Sequence, residues 1–194
     1  MRKFSREGFN ITEAINELMH ESGVIVIENA YNLNDIKEAR EIVNHFADTQ
    51  EQKETHFNAE AEASDKIKLQ QRIWNLFGKG EVFSKLITND IIFRLMSKLL
   101  GSEFFCGSYC ASRLLPGSIG QELHIDYPYW DFYNSETFPM GLNSSFAQNC
   151  QATIPLDICS EQSGATAYIP VSYTHLDAAD ERSSVDLGGR RIIK

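Results

Sequence analysis

The sequence predicts an α+β fold in which N-terminal helices pack on a jelly-roll sheet. In the first hundred of its 194 residues, apolar side chains recur at helical spacing from Ile11 to His20, from Leu33 to about Ala47 and from Asp90 to Leu100. After Gly101 the pattern changes to short apolar or loosely alternating runs, which are typical of strands. Helices first and short strands after them indicate an α+β chain, and its length indicates a single domain.

The predicted helix ends depend on small polar residues and glycines. Thr12 is the predicted N-cap of the first helix, which Gly23 ends, and Gly101 ends the last helix. A shorter helix is predicted from Val82 to Ile87. The apolar run that begins at Ile73 is expected to place Trp74 in the core.

Strands are predicted where apolar runs are short or alternate. The predicted strands are Val24–Ile27, Phe104–Leu115, Leu123–Tyr127, Phe146–Asp157 and a last one from Ala165 to Ile169. Pro155 interrupts the fourth of these, as expected for an edge strand or a bulge. The residues from Glu161 to Gly164 are predicted to form a turn before the last strand.

Composition and charge exclude several classes of protein. The net charge is −9 and no basic patch stands out, so we expect no nucleic-acid partner. The chain has neither a signal peptide nor a run of about 18 apolar residues, which together predict a soluble cytoplasmic protein without a membrane partner. Cys106 and Cys110 lie among apolar residues and are expected to be small buried side chains, which suits a reducing compartment.

The most informative motif is His124-x-Asp126, on the predicted strand that follows the turn Leu115–Gly117. Alternate side chains of a strand share a face, so the imidazole and the carboxylate point the same way. They are two of the three ligands of a two-His-one-carboxylate site for non-haem Fe(II). The tripeptide alone favours a plainer interpretation, in which His124 and Asp126 pair with each other on a half-buried strand.

The residues around this motif resemble the phytanoyl-CoA dioxygenase family of Fe(II)/2-oxoglutarate oxygenases. The resembling segments are Ser22–Ala30, Arg72–Phe77, Leu115–Gly117, Gln121–Asp131 and the stretch from Ile154 to Pro170. They occur in the order of the family and cover nearly all of the chain up to Pro170. The resemblance implies a cupin-like double-stranded β-helix, of which this chain would hold only part.

The resemblance also implies a function, which is the hydroxylation of a small molecule with Fe(II), 2-oxoglutarate and dioxygen. His124 and Asp126 would be iron ligands, and the third ligand would be a His on a later strand, followed by an Arg that pairs with 2-oxoglutarate. Related halogenases replace the carboxylate ligand with a small residue, so Asp126 favours hydroxylation. No side chain of the chain itself is expected to act as an acid, a base or a nucleophile.

Further site residues follow from positions near these motifs. Arg113, Gln121 and Thr153 are candidates for binding the cosubstrate, although the residues by themselves favour an ordinary strand or turn position for each. The candidates for contacts with the substrate are Asn75, Tyr127, Tyr129 and Trp130. Core packing is the alternative for the three aromatic residues. Neither the substrate nor the oligomeric state can be predicted.

The last 24 residues, 171–194, resemble the translation of a sequencing adapter rather than protein sequence. Val171–Leu176 reads as the translated transposon end used in library preparation, and Val185–Ile193 as the end of the adapter. Such segments are left out of fold reasoning. We therefore expect residues 1–170 to be the N-terminal part of a single oxygenase domain, truncated before the third ligand and inactive as it stands. On this view His175 cannot serve as that ligand.

Two other functions remain open on sequence alone. One is a cupin-like metal-binding or isomerase domain, although such sites usually draw more His ligands from neighbouring strands. The other is a metal-free jelly-roll binding domain, in which Asp126 need not be free to bind a cation.

Overall fold

The computed structural model describes residues 1–51, 69–121, 147 and 149–169. The described helices are α1 (Ile11–His20), α2 (Leu33–Thr49), α3 (Glu81–Ile87) and α4 (Asp90–Leu100). The described strands are β1 (Arg2–Ser5), β2 (Ile25–Glu28), β3 (Gln70–Ile73) and β4 (Ala111–Leu114). Short 3-10 turns follow at Leu76–Gly78 and Glu161–Ser163. The prediction of mixed helix and sheet is confirmed.

The N-cap of helix α1 lies two residues earlier than the sequence predicted. Asn10 is extended, and its side-chain oxygen accepts hydrogen bonds from the backbone N–H groups of Thr12 and Glu13 at 3.1 and 3.2 Å. The prediction that Thr12 is the cap is therefore wrong. Asn10 is the better cap because its side chain reaches two N–H groups of the first turn, which have no partner inside the helix.

Helix α4 has the predicted bounds at both ends. Asn89 caps its first turn by accepting from the N–H groups of Ile91 and Ile92. Gly101 ends it with a positive φ of 90°, a conformation that costs glycine little because it has no Cβ. Both ends could be predicted from the sequence because each depends on residues directly beside the helix, Asn89 at its start and Gly101 at its end.

The N-terminal unit consists of two parallel strands and of α1, which connects them in the sequence. β1 pairs with β2 in parallel, with Phe4 opposite Ile27. Phe4, Ala14 and Leu95 form a small buried cluster, which brings α4 against α1 and this sheet. The sequence did not predict β1, because Arg2–Ser5 contains only one large apolar residue and its partner lies more than twenty residues away.

The larger core lies between α2, α3 and the antiparallel pair of β3 and β4. Its buried members are Ala39, Val43, Ala47, Ile73, Leu76, Val82, Phe83 and Leu86. Ile154 and Leu156 pack against this cluster from the last described segment. The register of the pair places Gln71 opposite Arg113 and Ile73 opposite Ala111. This register decides which side chains of β4 face α2.

The strands predicted after Gly101 are mostly shorter or missing in the described residues. β4 occupies only Ala111–Leu114 of the predicted Phe104–Leu115, because β3 is four residues long and offers partners to those four alone. Residues 149–157 and 165–169 are not strands. Pro155 removes one ladder donor from the first of these segments. The predicted strand Leu123–Tyr127 lies outside the described residues.

Two predictions of burial are also wrong. Trp74 is 45% exposed, because it directly follows β3 and lies above the guanidinium of Arg72 rather than among apolar side chains. Cys106 is exposed, since the residues between α4 and β4 cross the surface as an irregular connection, whereas Cys110 is half-buried. The turn predicted at Glu161–Gly164 is confirmed, with Gly164 at a positive φ of 80°.

The described helices include none that is both long and apolar enough to cross a membrane. The jelly roll remains a prediction, since the described strands form two separate two-stranded sheets.

Candidate functional site

The proposed iron ligands lie outside the described residues. His124 and Asp126 belong to this part of the chain, as do the predicted substrate residues Tyr127, Tyr129 and Trp130. Their assignment still depends on the sequence. The structure does describe the approach to them, which runs from β4 to Gln121.

Within the described ranges, no three side chains of His, Cys, Asp or Glu come together in a way that could hold a metal ion. Both described histidines lie on helices, His20 at the end of α1 and His45 in α2. The described residues therefore offer no alternative metal centre to the one predicted at His124 and Asp126.

The segment that leads to the predicted metal strand is held by a tight turn directly after β4. The backbone N–H of Leu115 donates to the carbonyl of Leu69 at 2.8 Å, which extends the pairing of β4 with the residues before β3. The N–H of Ser118 donates to the carbonyl of Leu115 at 3.1 Å and closes the turn. Gly117 has a φ of 87°, which glycine adopts without strain, and a proline directly before such a glycine is common in tight turns. The described range that contains this turn ends three residues after Ser118, at Gln121.

Arg113 donates from all three of its guanidinium nitrogens to other side chains. Nε donates to Oε1 of Gln71 at 2.7 Å, Nη1 to Oδ1 of Asn44 at 3.3 Å, and Nη2 to Oδ1 of Asp48 at 2.5 Å. The side chain is 22% exposed, whereas that of Asp48 is 65% exposed. Arg113 thus lies on the face of β4 that is turned toward α2.

The carboxyl group of Asp48 responds to this contact. The hydrogen bond from Arg113 holds the pKa of Asp48 below its ordinary value of 3.8, and the positive charge of the guanidinium adds to the effect. His45, on the same helix, lowers the pKa in the same direction. Asp48 therefore stays ionised through the neutral and mildly acidic range.

The other predicted site residues within the described ranges are not brought together with Arg113. Gln121 is half-buried, and Thr153 is exposed on the irregular segment that follows residue 149. Asn75 is exposed and adopts the left-handed conformation, with a φ of 55°, where it begins the first 3-10 turn. Asparagine tolerates this conformation better than most residues. None of these three side chains is a hydrogen-bond partner of Arg113 among its three described contacts.

Sequence reasoning missed a polar pair on the other face of the β3–β4 sheet. Gln70 is only 8% exposed, and its Oε1 has no hydrogen-bond partner in the described part of the chain. Arg72 lies two residues further along the same face, with Nη1 3.8 Å from Sγ of Cys110. The signal was present in the sequence as Gln70-Gln-Arg72, a polar run directly before the apolar run of Ile73–Phe77.

A mixed α+β chain with these strands is compatible with several classes of enzyme, and comparison with known families distinguishes them. Residues 19–184 match the sequence model of the family described as phytanoyl-CoA dioxygenase (PhyH). Because the match spans most of the sequence, the chain belongs to the phytanoyl-CoA dioxygenase family. The family is one of oxygenases with a cupin-like fold. The resemblance predicted from the sequence is confirmed.

The family match is not limited to residues 1–170. It begins within α1 and runs past Pro170 to residue 184, so it includes fourteen residues of the segment that resembles an adapter. A search of curated proteins finds no significant match.

Proposed function

We propose that the chain is part of a non-haem Fe(II)/2-oxoglutarate-dependent dioxygenase that hydroxylates a small molecule. The observation that carries the proposal is the family match over residues 19–184, which spans His124-x-Asp126. Oxygenase chemistry follows from membership of the family, and iron and 2-oxoglutarate are what the family leads us to expect.

The donor types at the proposed iron site suit Fe(II). An imidazole and a carboxylate are two members of the two-His-one-carboxylate set that leaves coordination positions open. His124 would offer a ring nitrogen and Asp126 a carboxylate oxygen. Iron bound there would supply the oxygen chemistry, while the protein would position the substrate and exclude competing reactions. The retained carboxylate supports hydroxylation over halogenation.

The cosubstrate needs cationic and polar partners, because 2-oxoglutarate carries two carboxylates. We propose that Gln121 and Thr153 line its pocket. Arg113 is less suited to this role, since its guanidinium already donates to Gln71, Asn44 and Asp48.

The substrate contacts are proposed from the sequence around the iron ligands. Tyr127, Tyr129 and Trp130 would form an aromatic wall beside the metal, and Asn75 would add a polar contact. Asn75 is exposed and held in the left-handed conformation, so its amide is available for such a contact. A small molecule is therefore the proposed class of substrate, without a nucleic-acid or membrane partner.

We further propose that residues 1–170 belong to one oxygenase domain and that residues 171–194 do not. The resemblance of the tail to a translated adapter supports this boundary, whereas the family match itself extends to residue 184. The third iron ligand and the Arg that pairs with 2-oxoglutarate would then be absent. We expect the 194-residue chain to bind Fe(II) weakly and to release no succinate.

The proposed function is tested by measuring succinate release from 2-oxoglutarate with and without Fe(II). The assay is run on the 194-residue chain and on a longer homologous reading frame that continues past Pro170 with a His and an Arg. We expect Fe(II)-dependent succinate only from the longer protein, and none from its Asp126→Ala variant. Asp157→Asn, which removes an exposed carboxylate that pairs with Arg40 of α2, is the matched control.

Two outcomes would contradict these proposals separately. Unchanged turnover in Asp126→Ala would remove the assignment of the carboxylate ligand. Iron-dependent turnover by the 194-residue chain would show that a residue within it completes the site, and would overturn the interpretation of the tail.

A further inference from the structure

The contacts of Arg113 join three elements at one point. Its acceptors Asn44 and Asp48 lie four residues apart on one face of α2, and Gln71 lies directly opposite it on β3. Gln71 also donates from Nε2 to the carbonyl of Ala47 at 3.3 Å. The strand pair is thus tied to the last turns of α2 by side chains from both of its strands.

This network is the polar part of a contact that is otherwise apolar. Ala47 and Ile73 belong to the buried cluster, and Ala111 packs against it from β4. A partly buried guanidinium at the edge of such a core needs acceptors in fixed positions, because leaving its donors unpaired is costly. Arg113 therefore has one well-defined position relative to α2.

The other face of β4 is fixed by a close approach. A Cβ at Gly164 would lie 2.7 Å from Cδ1 of Leu114, so Leu114 packs directly on the backbone of the second 3-10 turn. Neighbouring side chains of β4 are thus held from opposite sides, Arg113 by α2 and Leu114 by Gly164. The strand has little freedom to shift along or across its neighbours.

The end of β4 fixed in this way is where the approach to the metal motif begins. Leu115 follows Leu114 directly and donates to Leu69, and the Pro116-Gly117 turn reverses the chain. Only ten residues lie between Arg113 and His124 in the sequence. A shift of β4 would therefore move the origin of the segment that carries His124 and Asp126.

We propose that Arg113 is a positioning residue, which holds β4 and its Pro-Gly turn against α2 and so sets where the His124-x-Asp126 segment starts. This inference rests on the proposed function, because it takes His124 and Asp126 to be metal ligands. It assigns Arg113 no contact with the metal or with the cosubstrate. Asp48 and Asn44 then belong to the site's support, although neither is close to the motif in sequence.

The proposal is tested on the full 194-residue chain by amide hydrogen exchange. Asp48→Asn keeps the shape of the side chain but removes its charge, and we expect residues 111–118 to exchange about two- to fivefold faster. Arg113→Gln removes all three bonds, for which we expect about tenfold faster exchange in the same residues. Arg113→Lys, with one donor group in place of the fork, should lie between the parent chain and Arg113→Gln.

Two controls separate this effect from general loss of stability. Asp157→Asn breaks a different ion pair of helix α2, between Arg40 and Asp157, and should leave exchange at 111–118 unchanged. Helix α4, which packs in the separate N-terminal cluster, should exchange at the parental rate in every variant. Unchanged exchange at 111–118 in Arg113→Gln, or equal acceleration in α4, would overturn the proposal.

A second measurement tests the link to the metal motif with Co(II) as the probe. We expect Asp48→Asn to weaken Co(II) binding about two- to fivefold while leaving the visible spectrum of the bound ion unchanged. Unaltered affinity in Asp48→Asn would reduce Arg113 to a purely structural residue and overturn the proposal. Asp126→Ala should instead change the visible spectrum of bound Co(II). An unchanged spectrum in this variant would count against the proposed function. The hydrogen-exchange measurement would still decide whether Arg113 holds β4.

Discussion

Leu114 lies directly against the backbone of Gly164, so that a Cβ at position 164 would be 2.7 Å from its Cδ1. Gly164 also has a φ of 80°, in the left-handed region that residues with a Cβ rarely adopt. The two residues join β4 to the last described turn, although 49 residues of sequence lie between them. The contact therefore requires glycine for two independent reasons.

Gly164→Ala should consequently destabilise the protein. The left-handed backbone and the displaced Leu114 side chain together should lower the free energy of unfolding by about 1–3 kcal/mol. Urea denaturation of the variant and the parent measures the difference. Gly8→Ala is the matched control, because Gly8 also has a positive φ, of 71°, but its added Cβ would meet nothing within 4 Å. Equal losses in the two variants would contradict the role of Leu114.

Phe83 should be the most costly single aromatic truncation in the larger core. Its side chain is 1% exposed, and its ring packs edge-on against Tyr109 with 6.2 Å between ring centroids. Phe83→Ala should lower the free energy of unfolding by about 3–5 kcal/mol, since it removes buried apolar contacts and leaves a cavity. Phe105, which is 86% exposed, provides the control: Phe105→Ala should change the stability by no more than about 0.5 kcal/mol. Similar losses in thermal denaturation would show that the core is placed wrongly.

Asn10 should contribute more to helix α1 than the neighbouring Thr12 does. Asn10→Ala removes the acceptor of two backbone N–H groups and should cost about 0.5–2 kcal/mol. Thr12→Ala changes a residue inside the first turn and should be nearly neutral or slightly stabilising. Thermal denaturation followed by circular dichroism compares the two variants. A larger loss from Thr12→Ala would favour the cap that the sequence predicted.

The pair of Asp48 and Arg113 should make stability depend on pH in the acid range. The hydrogen bond from Arg113 lowers the pKa of Asp48 in the folded state below 3.8, so the folded state binds fewer protons than the unfolded state in this range. The stabilisation is therefore fully present above about pH 4 and is lost as the pH falls through the folded pKa. His45 acts in the same direction, and the other groups facing Asp48 from β3 and α2, Gln71 and Asn44, are uncharged.

The measurement is the difference in melting temperature between the parent and Asp48→Asn as a function of pH. This difference should be constant from neutral pH to about pH 4 and should shrink below it. Asp157→Asn serves as the reference for an ion pair on the same helix. A difference that stays constant down to the lowest pH would show that Asp48 is not paired in solution.

The parts of the fold that sequence reasoning predicted are those set by local chemistry. The bounds of α1 and α4 follow from amphipathic spacing, and Gly101 ends α4 as expected. The strands were more difficult to predict from the sequence, because β1 and β3 are short and their partner strands are distant in sequence. Nothing in Arg2–Ser5 or Gln70–Ile73 specifies those partners locally.

The sequence proposes ligands for the candidate site but gives no information on its supporting contacts. His124-x-Asp126 is notable because of its spacing together with the residues around it, and its role in binding a metal stays a prediction. Whether Arg113 faces α2 or the opposite side depends on the register of β4 with β3, which a shift of one residue would reverse. The sequence could therefore identify Arg113 as notable and could not determine its partners.

The contact of Ile154 and Leu156 with the core around α2 has a consequence for the order in which the chain is completed during synthesis. The ion pair between Arg40 and Asp157 spans 117 residues, and Ile154 and Leu156 pack on the same cluster. Helices α2 and α3 and the two strands between residues 70 and 114 can meet as soon as they leave the ribosome. The cluster then lacks the cover of Ile154 and Leu156 while about forty further residues are translated at roughly 5–20 residues per second. For several seconds this apolar surface is open to chaperones, and to other nascent chains.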